Sequence, residues 1–179
     1  EEYSITTDEI FTYQKDGTAI NITYTTPDDS DYSVEAVAAG RTAVEDGLYS
    51  VDDNVITLSG DLKPGSYTVT FSDDKYASKK SSTLVESGLE EGSVSIENNA
   101  VVIADNEQGL TGADYAAQVT SVIVNGEPVK AKGIAGILFN EDGSINLDAE
   151  IEGQDGNVKV FDGSDSYEIE LEATGYPAV

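Results

Sequence analysis

The sequence predicts an all-β chain built as two tandem Ig-like β-sandwich modules. Three observations carry that expectation. Short segments alternate apolar and polar residues and are separated by turn residues, the pattern of half-buried strands in a sandwich. The length, 179 residues, suits two sandwiches of roughly 90 residues each. A tyrosine cadence also repeats one module apart. Tyr67 and Tyr76 in PGSYTVTFSDDKY recur as Tyr167 and Tyr176 in GSDSYEIELEATGY, and on this reading each Ser-Tyr opens the last strand of its module.

In the first half, Ile20, Ile22 and Tyr24 alternate with Asn21 and Thr23, so three bulky side chains share one face. Val55-Ile56-Thr57-Leu58 is a shorter strand entered through Asp52-Asp53-Asn54. Pro64-Gly65 then turns the chain into Tyr67, Val69 and Phe71 on one face and Thr68, Thr70 and Ser72 on the other. In the second half, Val94-Ser95-Ile96 and Val101-Val102-Ile103, joined by Glu97-Asn98-Asn99-Ala100, form a hairpin. Asn125-Gly126, between Val122-Ile123-Val124 and Pro128-Val129, signals a two-residue turn, because both central residues need positive φ. Tyr167, Ile169 and Leu171 alternate with Glu168, Glu170 and Glu172, a strand with one wetted face. Helix is limited to one turn around Ala113–Ala117.

Five landmarks recur in one order and imply two copies of one topology. They are Asp31-Tyr32 with Asp114-Tyr115, Ala39-Gly40 with Asn125-Gly126, Gly47-Leu48-Tyr49 with Ile137-Leu138-Phe139, an acidic turn leading to a further strand, and the closing Tyr-x-apolar-x-apolar strand. The copies are unequal, since the second carries about ten extra residues over 148–162. Residues Glu86–Ser93 are polar and glycine-containing, which places a linker there between modules at 1–87 and 93–179.

Composition narrows the chemistry. The net charge of −26 repels phosphate backbones and anionic lipid, so no nucleic-acid partner is expected. No apolar run reaches the length of a membrane span, so no direct membrane insertion is expected in this segment. The chain opens without Met or a signal-like segment, as a mature or excised piece would. There is no Cys and no His, which removes Ser-His-Asp triads, Cys-His dyads and the common zinc sites.

The residues Gly109-Leu110-Thr111, Tyr115, Val122-Ile123-Val124-Asn125-Gly126 and Ser166-Tyr167 through Gly175-Tyr176 stand in a recognisable order. Over about 105–179 the chain resembles the haemoglobin-interacting domain family of Shr-like haem-uptake receptors and Firmicutes surface proteins. The first half carries Ile5-Thr6-Thr7, Gly47 to Val51, Asn54 to Leu58 and Leu62 to Phe71. It is similar to the Ig-like X-type modules of bacterial surface enzymes. Both resemblances imply extracellular β-sandwiches of Gram-positive surface proteins, and neither supplies a catalytic residue.

The expected role is therefore non-enzymatic, a spacer or adhesion pair beside neighbouring modules of a larger surface protein. Two alternatives stand beside it: a receptor module for a host protein such as haemoglobin, implied by the family, and a carbohydrate-binding module for polysaccharide. No cofactor is expected. Without His or Met, haem iron could be ligated only by one of the ten tyrosines, most of which read as core or corner residues. An exposed cluster of aromatics would favour a receptor, and sugar stacking wants exposed aromatic platforms. Calcium candidates are Asp142 and Asp148, Asp162 and Asp165, and the cluster Asp28-Asp29-Ser30-Asp31, although acids at turns also satisfy turn backbone. Paired carboxylates of glycosidase type have no sequence feature that selects two of the 35 acids. Lys159, in an apolar strand context, is the candidate for a Lys–Asn isopeptide crosslink.

Overall fold

The computed structural model describes residues 4–26, 30–104 and 107–179. The chain is all-β, two tandem Ig-like β-sandwich modules, and its contacts divide it into compact units Glu1–Ser87 and Gly88–Val179.

Among its described residues the first unit holds nine strands: β1 Ser4–Thr7, β2 Ile10–Thr12, β3 Thr18–Thr25, β4 Ser33–Ala39, β5 Thr42–Ala43, β6 Tyr49–Asp52, β7 Val55–Leu58, β8 Gly65–Ser72 and β9 Lys79–Glu86. One sheet runs β1-β3-β7-β6 and the other β2-β9-β8-β4-β5. The N-terminal segment serves both: β1 pairs antiparallel with β3, and β2 then pairs parallel with β9. The buried Thr83 hydroxyl, donating to the Asp8 carbonyl at 2.8 Å, pins the crossover. Ile20, Ile22, Ile56 and Leu58 project inward from one sheet and Val37, Val69, Phe71 and Val85 from the other. All but Val37 and Val85 are positions on the strands read from the sequence, and each apolar side chain so buried contributes about 1.5–3 kcal/mol before entropy is counted.

The second unit holds β10 Val94–Glu97, β11 Ala100–Ile103, α1 Gly112–Ala116, β12 Val119–Val124, β13 Glu127–Pro128, α2 Ile134–Leu138, β14 Glu150–Gly153, β15 Gly156–Lys159 and β16 Ile169–Ala173. Its ladders are β13-β12-β16, β10-β11 and β14-β15. Both expected hairpins are present. Asn98 and Asn99 have φ of 51° and 60°, and Asn125 and Gly126 have 51° and 80°. The helical turn expected near Ala113 is α1, held by a capping box in which Thr111 Oγ1 accepts from Asp114 N–H and Asp114 Oδ2 accepts from Thr111 N–H. Its core gathers Tyr115, Val122, Leu138, Phe139, Phe161 and Leu171.

Three expectations need correction. Tyr67 does not open the last strand of its module, because β9 follows β8 and pairs along it. Ile137-Leu138 does not lie in a counterpart of the Gly47-Leu48-Tyr49 segment. That first segment forms a single 3-10 turn, Asp46–Leu48, leading into β6, whereas Ile137-Leu138 ends α2. The strand expected after the second acidic turn is reduced to two isolated bridges, Phe139↔Ile145 and Ala100↔Ser144. Ile134 and Leu138 bury at helical i,i+4 spacing, and five residues were too short a span for that period to be read.

What the units share is a three-strand ladder with the same order, β5-β4-β8 in one and β13-β12-β16 in the other, each with a bulge in its central pair. The tyrosine cadence is fixed to this ladder. The first tyrosine of each pair bonds four residues back: Tyr67 Oη donates to the Lys63 carbonyl at 2.5 Å, and Tyr167 Oη accepts from Gly163 N–H at 2.8 Å. The second tyrosine packs on the tyrosine of the Asp-Tyr landmark, Tyr76 on Tyr32 at 6.5 Å between centroids and Tyr176 on Tyr115 at 5.2 Å. In both units the landmark hydroxyl donates to the carbonyl one residue beyond, Tyr32 to Ala77 at 3.1 Å and Tyr115 to Pro177 at 3.2 Å. The cadence repeats because each member closes the same end of the same ladder.

Candidate functional site

The strongest candidate surface lies in the second unit, between the segment after β13 and the β14–β15 hairpin. The tight Asn125-Gly126 turn returns the chain so that Val129 N–H donates to the Val122 carbonyl at 2.8 Å. Residues 130–132 then run alongside with Lys130 and Lys132 exposed and Ala131 half-buried. Gly133, at φ 71°, admits the left-handed conformation that swings the chain into α2. On the far side, Ile151 pairs with Val158 and Glu150 with Lys159 across the hairpin. The result is a groove of about 620 Å³ whose floor includes Ala131, Ile137 and Ile151 and whose rim carries Lys130, Lys132 and Glu152.

Its electrostatics are unlike the rest of the unit. Residues 88–179 hold eighteen acids and three basic residues, Lys130, Lys132 and Lys159. Lys130 and Lys132 line this groove, and Lys159 stands outside its lining, paired across the hairpin with Glu150. Val158, next to Lys159, leaves 55% of its surface exposed. With Lys130 and Lys132 set against Glu150 and Glu152, the lining is balanced in charge on an otherwise acidic module, and with its aliphatic floor it suits a protein surface that offers both polar and apolar contact.

The acids named from the sequence are placed differently. Asp142 Oδ1 accepts from Ser144 Oγ at 2.5 Å and Ser144 N–H at 2.9 Å. Asp162 Oδ1 accepts from Ser164 Oγ at 2.6 Å, from Ser164 N–H at 3.1 Å and from Tyr167 Oη at 3.3 Å. These bonds, the serine hydroxyl foremost, hold both carboxyls below the usual carboxylate range. Asp148 is exposed and its N–H donates to Asn146 Oδ1, and Asp165 is exposed. Among the described residues no three His, Cys, Asp or Glu side chains converge. Asp28 and Asp29 lie outside the described residues, while Asp31 N–H donates to Asp73 Oδ2. Burial raises the Asp73 pKa, but backbone bonds from Asp31, Lys75 and Tyr76 outweigh it and the net shift is downward.

Lys159 is exposed on β15 rather than enclosed with an asparagine. No described tyrosine is exposed, with Tyr13, Tyr67 and Tyr115 buried and the other described ones half-buried. No helix among the described residues is long and apolar enough to cross a membrane.

The extra residues over 148–162 were legible as an insertion, and they build one wall of the groove. The lysines of the opposite wall drew no notice in the sequence, because Lys-x-Lys reads as an ordinary wetted edge. The countable signal was their scarcity.

The family described as heme-binding protein Shr-like, Hb-interacting domain, matches residues 89–179. No curated protein matches the chain in sequence. Among solved structures, the chain is similar to titin Ig tandem domains at 10% identity and TM-score 0.36, covering 99% of this chain and 91% of that one. A structure of titin kinase and its flanking domains aligns at 15% identity and TM-score 0.34, covering 49% of this chain. SGBP-B of the Bacteroides ovatus mixed-linkage glucan utilization locus, in complex with mixed-linkage heptasaccharide, aligns at 15% identity and TM-score 0.30 over 98% of this chain. The chain spans 17% of the titin kinase structure's length and 43% of the SGBP-B structure's.

Proposed function

The chain belongs to the Shr-like haemoglobin-interacting domain family, and from that premise we propose that it is a non-enzymatic binding part of a bacterial cell-surface protein. The second unit captures a host protein, haemoglobin foremost, and the first unit serves as spacer and adhesion module beside it. Both act outside the cell. One observation carries the reading: two of the three basic residues of an otherwise acidic unit line one groove with an aliphatic floor. Contact is with the protein partner rather than with haem iron, since every described tyrosine is at least half-buried.

The test is haemoglobin binding to the immobilised chain at low and near-physiological salt, with Lys130→Glu/Lys132→Glu as the variant. Saturable binding tighter than about 10 μM is expected, weakened at least about tenfold by the double substitution, mostly through slower association. Both lysines are exposed and the variant should keep the parent's melting temperature. Equal affinity of variant and parent would remove the groove from the account, and no binding by the parent would remove haemoglobin.

A further inference from the structure

The β14–β15 hairpin sets one margin on the groove and turns the other outward. Every residue of the outward strand, β15, is exposed. Among the described residues β15 pairs with β14 and with no other strand. How the two strands bond fixes what the outer margin offers. Val160 N–H donates to the Ala149 carbonyl at 2.9 Å. Antiparallel strands alternate bonded and unbonded pairs, so the next bonded pair is Ile151↔Val158, while Glu150↔Lys159 and Glu152↔Asn157 are unbonded. The main-chain N–H and C=O groups of Asn157 and Lys159 therefore point away from β14, out of the hairpin. Between them stands Val158, 55% exposed, on the same face as its hairpin partner Ile151.

We propose that this margin is a self-association site, through which two copies of the chain pair β15 to β15, antiparallel about a two-fold axis at Val158. Asn157 of each copy exchanges both main-chain bonds with Lys159 of the other, and the hairpins join into one four-stranded sheet. Val158 meets Val158 as an unbonded pair, the closer of the two antiparallel spacings, and both exposed valines are covered. The neighbouring registers are poorer. A two-fold at Lys159 sets lysine against lysine, and one at Asn157 sets each valine opposite Gly156.

Charge selects the second copy as occupant. The chain carries −26, so most surfaces of two copies repel each other. The β15 sequence, Gly-Asn-Val-Lys, holds no acid. Each polar row of the joined sheet reads Glu150, Lys159, Asn157, Glu152, the last two from the other copy. Lysine and asparagine thus stand between the carboxylates in every row, and no carboxylate faces another. The groove takes its hairpin lining from residues 150–154 and none from β15, so pairing leaves both grooves open, one at each margin of the sheet.

The contact is one short strand a side, so the expected Kd is about 0.1 mM and the dilute chain is a monomer. Sedimentation equilibrium of the full chain, from about 10 μM to about 1 mM at about 0.05 and 0.5 M NaCl, reads the pairing. It should tighten severalfold in the higher salt, which screens the repulsion between two acidic chains. At about 1 mM the Asn157 and Lys159 amides should exchange about fivefold more slowly than in dilute solution, with the amides of the first unit unchanged. Val158→Lys, at an exposed position, should keep the parent's melting temperature and abolish pairing. The chain has no Cys, so single cysteines report the register. Under oxidised glutathione, Val158→Cys should form a disulfide-linked dimer at least about tenfold faster than Asn157→Cys or the exposed control Leu147→Cys, because only position 158 meets its own copy at bridging distance. A chain that stays monomeric at the highest concentration in the higher salt, a Val158→Lys variant that pairs like the parent, or equal crosslinking at the three positions would overturn the proposal.

Discussion

The two corner tyrosines occupy matching places in the cadence but different surroundings, and removing one hydroxyl at a time separates place from surroundings. Tyr67 is 3% exposed, and its hydroxyl donates to the Lys63 carbonyl at 2.5 Å. Tyr67→Phe keeps the ring and its packing but leaves that carbonyl without its partner where water has poor access, a loss of about 1–2 kcal/mol. Tyr167 is half-buried, and its hydroxyl accepts from the exposed Gly163 N–H and donates to the exposed Asp162 carboxylate. Water can replace both partners there, so Tyr167→Phe should cost about 0.5 kcal/mol or less. Because the chain has two units, the losses must be read separately, from resolved amide peaks of each unit through a urea titration. For a unit of this size, a 1 kcal/mol difference corresponds to roughly 4–8 °C in melting temperature. If Tyr167→Phe proved as costly as Tyr67→Phe, burial would not be what gives the corner bond its value.

Three further outcomes follow from the same geometry. Burial foremost, with the charges of Tyr13 and Glu172 second, pushes the phenols of Tyr67 and Tyr115 up to about 12 from 10.0. A folded pKa above the unfolded one means their stabilisation is intact below pH 10 and is lost as pH rises from 10 to about 12. The slope is at most about 1.4 kcal/mol per pH unit for each, less whatever solvent screens, and urea midpoints between pH 8 and 12 would read it. A flat profile would count against the buried phenols. A Cβ at Gly60 would stand 1.8 Å from the Lys15 carbonyl oxygen and one at Gly112 1.8 Å from that of Val101. Gly60→Ala and Gly112→Ala should each destabilise their own unit by about 3 kcal/mol or more, whereas Gly40→Ala, with open space but φ 58°, should cost about 1. Thr111→Ala, which removes half of the α1 capping box, should lower the melting temperature of the second unit by an amount equivalent to about 1 kcal/mol.

The parts of the fold that were legible are those decided by neighbours in sequence. Tyr67, Val69 and Phe71 sit on the buried face of β8 because period two fixes the face once one member is placed. Asn125-Gly126 turns the chain because few residue pairs tolerate two positive φ values in succession. What could not be read depended on partners far along the chain. The Lys79–Glu86 stretch, KKSSTLVE, opens with five polar residues and does not announce a strand. It becomes one because β8 offers it a ladder on one edge and β2 a parallel partner on the other. The groove was hidden for the same reason, since Lys130 and Lys132 acquire meaning only when the hairpin at 150–159 is folded opposite them.

The comparison of the two units then bears on where recognition resides. Both contain the same ladder and the same tyrosine closure, and a feature common to both cannot explain a property of one. Two things distinguish the second: the β14–β15 hairpin and the short α2 in place of a strand-forming segment. Hairpin and α2 meet at the groove through Ile151 and Ile137, and Lys130 and Lys132 line it. Insertions on a retained scaffold add surface without rebuilding the core, because the strand pairs beneath them keep their register. Substitution at the groove should therefore change partner affinity while leaving the stability of the unit in place, and substitution at Tyr115 should do the reverse. A Tyr115→Phe variant that lost partner binding without loss of stability would break that division between scaffold and site.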